Sequence, residues 1–451
     1  MCLLQQSVWL QECVENDRKQ PEGEAMKEKG RENRAEEKTN GIAEKAGMQE
    51  QMRQTGKELL LLLRCALDGK AAGISWDGEE WKRIWQLAKR SNVEAALWPA
   101  VKPHEEALPE TLRSLWKQAG TMGMYRELQF DVEREQILEA LEAHGISYLP
   151  LKGILLKDDY PKPGMRYMCD NDILYGYVEP DPAGGYCLRG KTEADKEQGL
   201  LEAQKILCTI MKQHGYEVEG LTGNHDAFQK QPIFNFEMHR TLFDRTSPFL
   251  SYYKNPWKRA VRREENPHRY EYSVEDQYLF ITAHAWKHYD GGGCGIRTLA
   301  DEAVYLQRQG GFMDWNYVEA EAEKLGLGEF EKALRRCAKH LLLETGEAEA
   351  EDWEMAYYML GCGTYGTMDN RIMRTIGRLQ METGGDQKQA KKRYARNRIF
   401  LSEEQLQEYH PFFYHHKSLR WILPIYRTVR GMFRHPGQLL REWRIWRQYR
   451  D

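Results

Sequence analysis

Asp170 and Asp172 stand two residues apart in the run Arg166-Tyr-Met-Cys-Asp170-Asn-Asp172-Ile-Leu. On an extended strand, residues i and i+2 project from the same face, so the two carboxylates converge. Such a pair suits one or two Mg²⁺ ions, which keep waters and take substrate phosphate oxygens as further ligands. Metals bridging an attacking hydroxyl and a leaving pyrophosphate stabilise both ends of an in-line displacement. A third carboxylate, Glu237, lies in Phe234-Asn-Phe236-Glu237-Met-His239, whose alternating apolar and polar residues read as a strand. Upstream, Leu151-Lys152-Gly153 reads as a strand-to-helix turn. There a glycine admits backbone N–H groups to a phosphate, and Lys152 adds a point charge. Three carboxylates from two strands, with a phosphate-binding turn, form a two-metal phosphoryl-transfer site. The plainer reading is a surface strand with two exposed aspartates. Arg166 shares the aspartates' face if the strand extends that far, where it touches triphosphate; otherwise it is a surface arginine.

Other reactive residues carry less. His284 and His288 are spaced i, i+4 on one helix face, a zinc-compatible spacing, but Ala285 stands where an HExxH motif has glutamate. The plainer expectation is that one histidine packs or caps near Asp301, while one faces the nucleotide in a sharper reading. Gly291-Gly-Gly293 has no strand before it and is a turn, not a dinucleotide fingerprint. Cys169 is expected to be packing.

The elements that must position these groups follow from periodicity. Residues 1–57 form a charged extension with almost no aromatic residues, either a solvated, marginal helix or disorder. Residues 58–125 are helical, and Trp76, Trp81 and Trp85 read as core packing in preference to a ligand box. Residues 126–245 are a mixed α/β segment: a short strand at 146–151, a strand-like stretch Met165–Tyr177, a loop or hairpin at 179–197, a helix Ala194–His214 ended by Gly215, and strands at 216–219 and 233–239. Residues 246–382 are helical again, 383–400 read as a polar linker, and 401–451 as basic, aromatic helices.

The length, 451 residues, fits two to three domains at about 150 residues each. With 65 basic against 69 acidic residues the net charge is −4, so nucleic acid is not indicated as a partner. The mean hydropathy is −0.75 and no apolar run approaches the 18 or so residues of a spanning helix. Met1 to Gln11 lack a basic n-region and a cleavage site, and the nine cysteines are scattered without a CxxC pair. A soluble, cytoplasmic protein with reduced thiols is expected.

The run "HGISYLPLKGILLKDDYPKPGMRYMCDNDILY", the later "FEMH", and "SVEDQYLFITAHAWKHYDGGGCGIRTLADEAVYL" occur in an order that resembles the nucleotidyltransferase (polymerase β-like) superfamily, in particular its branch of uncharacterised nucleotidyltransferases. With the opening helices "LLLLLRCALDG" and "ISWDGEEWKRIWQLAKRSNV", the resemblance spans most of residues 59–310. It implies an α+β fold, a small mixed-sheet core flanked by helical segments and helix-rich overall. It also implies Mg²⁺-dependent (or Mn²⁺-dependent) transfer of a nucleoside monophosphate from an NTP to an unknown acceptor. Asp170, Asp172 and Glu237 would then be metal ligands and catalytic residues, with Lys152, Gly153 and Arg166 on the phosphates. The chain departs from the superfamily pattern in having Lys152-Gly153 for a Gly-Ser turn, Asn171 between the aspartates, and Glu237 where a shorter aspartate serves. The alternative is a catalytically inactive module of the same fold that binds a nucleotide or a partner protein.

At the carboxyl-terminal end, Leu439, Trp443 and Trp446 make an apolar stripe flanked by Arg441, Arg444 and Arg447. Such a helix either rests on an anionic membrane or an acidic partner protein, or docks on the chain's own helices.

Overall fold

The computed structural model describes residues 29–449 apart from positions 72, 222, 365 and 435. The charged extension up to residue 28 lies outside the described residues. From Lys29 the chain is already helix α1 (Lys29–Asp68), as its Glu, Lys, Gln and Ala content favours. Its last three turns bury Leu59, Leu60, Leu62 and Leu63 against the helices that follow. Helix α2 (Gly78–Ser91) is started by an Asp77–Glu80 capping box and buries Trp81, Ile84, Ala88 and Ser91 along one stripe. Trp85 meets Trp116 edge-on at 4.8 Å, so the tryptophans are core packing as their spacing implied. Helix α3 (Glu94–Val101) and the long α4 (Glu110–Ala143) complete this amino-terminal layer.

The carboxyl-terminal half of α4 feeds β1 (Ser147–Pro150), a single-turn α5 (Gly153–Leu156), and β2 (Asn171–Gly176). A β3–β4 hairpin (Val178–Pro180, Tyr186–Leu188) precedes α6 (Glu193–Gln213), which opens on a Thr192–Asp195 capping box. Strands β5 (Glu217–Gly220), β6 (His225–Lys230) and β7 (Phe234–His239) finish the sheet, ordered β1-β2-β7-β6-β5. Within this sheet the β2–β7 pair is parallel, and the β1–β2, β5–β6 and β6–β7 pairs are antiparallel. Ile173, Tyr175, Phe236 and Met238 point to one face and bury against Phe130, Ile137 and Leu141 of α4 and Leu207, Ile210 and Met211 of α6. The residues between them, Asp172, Glu237 and His239, must therefore face the other way. The strand expected over Met165–Tyr177 is shorter at its start, because Met165–Asp170 is drawn into side-chain contacts described below. Strand β6 was not expected, since its polar sequence, His-Asp-Ala-Phe-Gln-Lys, hides the alternation.

The hairpin β8–β9 (Val261–Arg262, Tyr270–Glu271) leads into α7 (Val274–Gly291), α8 (Arg297–Gln309), α9 (Trp315–Lys324) and α10 (Gly328–Leu342). These helices share one core with the amino-terminal layer and with Leu149, Leu151 and Leu174 of the sheet. The fold is α+β and helix-rich, and its small mixed sheet is enclosed between α4 and α6 on one face and α7 and α8 on the other. After α11 (Ala350–Gly361) and α12 (Met368–Glu382), the stretch expected as a polar linker contains helix α13 (Gln387–Ile399). Ala390 of α13 is buried against Ile372, Ile376 and Leu379 of α12, which is why so polar a sequence is held in place. Short α14 (Glu403–Tyr409) and α15 (Pro411–His415), then α16 (Ile422–Arg434) and α17 (Pro436–Gln448), end the described chain. No helix among the described residues is long and apolar enough to cross a membrane.

Candidate functional site

In the parallel pairing of β2 with β7, Asp172 is the register partner of Glu237. Partners in register project from the same face of the sheet, so the two carboxylates stand side by side on the wall of a cleft of about 370 Å³. His239, two residues beyond Glu237, joins them, and one donor atom each from Asp172, Glu237 and His239 lie within 4.8 Å of one another. Asp170 is not one of that trio. It immediately precedes β2 and lines the same cleft. Lys152, Gly153 and Arg166 also line it, so all six residues singled out from sequence meet in one place.

Asp172 is the electrostatic centre. Its Oδ1 accepts from Lys152 Nζ at 2.7 Å and from His239 Nε2 at 2.9 Å. Burial alone would raise its pKa, but the Lys152 ammonium and His239 hold it well below the ordinary carboxylate range. With Nε2–H on Asp172, Nδ1 of His239 is left to accept from Asn224 Nδ2 at 3.4 Å, a consistent tautomer. Glu237 has no such ammonium on it. Burial first, and then the Asp172 charge, push it up to about 8. The same two causes push Asp170 up to about 6. Burial would lower the Lys152 pKa, yet Asp172, Glu237 and Asp170 together leave it raised. The cleft lining carries four carboxyls, Asp170, Asp172, Glu237 and Asp301, against four cations, Lys152, Arg166, Lys287 and Arg297, and the raised pKa of Glu237 leaves that carboxyl largely protonated at neutral pH.

Lys152 enters the cleft from an unusual backbone: φ is +48°, a region that costs a side chain of this kind free energy. The adjacent α5 is one turn long, so anchoring at this turn falls to the lysine charge and not to a helix dipole. Gly153 is needed for a different reason than phosphate approach alone. A Cβ there would come within 2.3 Å of an Arg166 terminal nitrogen. Arg166 does not lie along the strand face. Its Nε and one terminal nitrogen donate to the two oxygens of Asp301 at 2.9 and 3.0 Å, and Tyr160 donates to the same carboxylate at 2.8 Å. Two further arginines fasten the same loop: Arg126 Nε donates to the Met168 carbonyl, and Arg297 donates to the Tyr167 carbonyl at 3.1 Å. Three guanidinium groups from α4, the loop itself and α8 therefore set where Asp170 stands.

Asn171, expected on the opposite face, is buried there and donates to the Phe130 carbonyl while accepting from Arg134, each at 3.4 Å. Its amide is accommodated and the strand packs normally. From the far wall, His284 and His288 of α7 face the cleft with their Nε2 atoms 3.1 Å apart. Asp301 is occupied by Arg166 and Tyr160, so neither histidine caps it as expected. Burial, with Lys152 nearby, keeps His284 neutral well below its ordinary pKa and His288 down at about 4. His225 of β6 stands opposite His239 in register, and burial lowers it to about 4.

The sequence reading passed over His239, His225, Arg126 and Arg297. His239 was recoverable, because period-two alternation puts it on the face of Glu237. The others depend on a missed strand or on contacts between distant segments.

The donor set fits a divalent cation. Adjacent carboxylate oxygens suit Mg²⁺, and an imidazole nitrogen beside them widens the choice to Mn²⁺. The model of an uncharacterised nucleotidyltransferase family matches residues 77–178 and 200–343, more than half of the chain, and the match includes every residue of this cleft's two carboxylate-bearing strands. No curated protein and no solved structure matches the chain.

Proposed function

The chain belongs to the uncharacterised nucleotidyltransferase family, and from that premise we propose that it moves a nucleoside monophosphate from an NTP to an acceptor hydroxyl or phosphate. In this reaction an acceptor oxygen attacks the α-phosphorus, the bond to the β-phosphate breaks, and pyrophosphate leaves with the electron pair. The observation that carries the reading is the register pairing of Asp172 with Glu237 beside Asp170, in a cleft of nucleotide size.

A Mg²⁺ or Mn²⁺ ion held by Asp170, Asp172 and Glu237, with His239 at hand, would screen phosphate charge and make the acceptor hydroxyl more acidic. Asp172 contributes permanent negative charge, since Lys152 and His239 keep it ionised. Glu237, once ionised, takes the proton of the acceptor hydroxyl, a role matched to a carboxyl whose pKa lies near neutrality. Lys152 is the phosphate-facing cation of the Lys152-Gly153 turn. Arg166 serves as a positioning residue: Asp301 holds its guanidinium, and it in turn fixes the loop that carries Asp170. His284 and His288, neutral on the far wall, offer hydrogen bonds to the leaving group without adding charge.

A second reading, a nucleotide-binding module without turnover, is favoured by one observation, the Lys152 ammonium seated on Asp172 where a cation would otherwise sit. Incubation with α-phosphate-labelled NTPs, Mg²⁺ or Mn²⁺, and cell-extract acceptors separates the two. Transferred label and released pyrophosphate, both absent in Asp172→Asn, support the enzyme; metal-dependent NTP binding without either product supports the module.

A further inference from the structure

Between residues 410 and 441 the chain contains no aspartate or glutamate, yet Lys417, Arg420, Arg427, Arg430, Arg434 and Arg441 all fall there. Within this stretch α16 is strongly two-faced. Leu423 is buried toward the protein, whereas Trp421, just before the helix, and Ile425, Val429, Met432 and Phe433 are exposed. Trp421 is 70% and Phe433 85% exposed, values far from those of core aromatics. At 100° per residue these five side chains fall within an arc of about 120°, the width of a buried helix face. Among the described residues nothing covers it. Arg430, exposed about 60° beyond the arc's Phe433 edge, donates to the Tyr426 hydroxyl, and Arg427 on the inward side donates to the carbonyls of Arg398 and Ile399.

Of the two alternatives for the helix that carries Trp443 and Trp446, docking on the chain's own helices is the one the structure takes. Ile445 of α17 is buried on Ile372, Ile376 and Leu379, and the Trp446 indole donates to the Lys391 carbonyl at 3.4 Å. Glu442 is bound by Arg398 and Tyr394, and Arg441 by Asp369. Docking α17 places α16 beside it with its apolar arc outward, and the half-exposed Trp443 of α17 faces Pro424, Thr428 and Gly431 of α16 across a groove.

We propose that α16 is an in-plane anchor for an anionic lipid bilayer, its apolar arc set among the acyl chains and its arginines at the headgroups. Three features choose this occupant. The arc is convex and lies outside the groove of about 380 Å³ that Pro424, Thr428 and Gly431 form with α13 and α17, so it suits a deformable slab and not a peptide that needs a groove. The stretch has no acidic residue of its own, and although Arg420 pairs with Glu403 and Arg441 with Asp369, the exposed Lys417, Arg430 and Arg447 are complementary to anionic headgroups. The same charge repels a second copy of this chain brought face to face.

Cosedimentation of the full chain with phosphatidylcholine vesicles, and with vesicles containing phosphatidylglycerol, tests this. The chain should pellet with the anionic vesicles at low salt, much less at high salt, and weakly with neutral ones. The double variant Trp421→Ser/Phe433→Ser changes only exposed positions, so it should keep the parent's melting temperature and lose anionic-vesicle binding at least about tenfold. Trp446→Ala, on the docked helix, should lower the melting temperature and leave vesicle binding of the folded protein in place. Failure of the parent to pellet at low salt would overturn the proposal. So would equal pelleting by the double variant, or self-association abolished in that variant with no vesicle binding, which would mark an interface between chains.

Discussion

The Lys152 ammonium lies 2.7 Å from Asp172 Oδ1, the carboxylate that stands in register beside Glu237 on the cleft wall, with Asp170 just before the same strand. It is the built-in counter-ion of the buried Asp172, so its removal has a defined consequence. Lys152→Met leaves Asp172 buried without its ammonium partner, and breaking such a pair costs about 3–5 kcal/mol. Thermal melts at neutral pH without metal should show that loss, and Mn²⁺ should restore much of it by taking the vacated position. A variant as stable as the parent, or one insensitive to Mn²⁺, would show that Lys152 does not neutralise this site.

The raised pKa values of Glu237 and Asp170 give stability a sign. Both carboxyls hold protons in the folded chain that the unfolded chain releases near 4.5 and 3.8. At these two carboxyls the folded state binds more protons through this window, so their contribution to metal-free stability is full below about pH 4 and is lost as pH rises through about 6 and then about 8. The neutral His225 and His288, lowered to about 4, act the other way below about 6.5. Asp172, with its lowered pKa, acts oppositely, and only below about 3.8, where falling pH removes stability. Glu237→Gln should make the decline between pH 6 and 8 in metal-free melts shallower, leaving the part due to Glu302, which burial also pushes up to about 8. An unchanged slope in that variant would place the titration elsewhere.

Arg166 and Asp301 are 135 residues apart and meet through two hydrogen bonds. Arg166→Met and Asp301→Leu should each destabilise by about 3–5 kcal/mol, because each strands a largely buried charge, while the double variant should cost less than either single change. A double-mutant cycle by denaturant unfolding reads this directly. Strictly additive losses would mean that the pair is not coupled.

The parts of the site legible in sequence are those fixed by local periodicity. Alternation of period two in Asn171–Ile173 and Phe236–Met238 is enough to aim Asp172 and Glu237 at one face, and the Pro-Gly breakers at 161–164 mark the loop before them. What sequence concealed are the relations made by tertiary packing. Nothing local to Arg166 says that it turns away to Asp301, and nothing in Lys152-Gly153 says that the lysine folds back on Asp172. Strand β6 escaped notice because both of its faces carry polar residues, and His225 went with it. Helix α13 was hidden because most of its residues are charged and its anchor, Ala390, finds a partner only in α12.

Calorimetric titration of each of the four NTPs into the full chain, with and without Mg²⁺, tests the central claim most directly. A cleft built for metal-dependent nucleotide chemistry should bind at least one NTP saturably with Mg²⁺ present, only feebly without it, and not measurably in Asp172→Asn. Binding of equal strength with and without Mg²⁺, or binding that survives unchanged in Asp172→Asn, would contradict it.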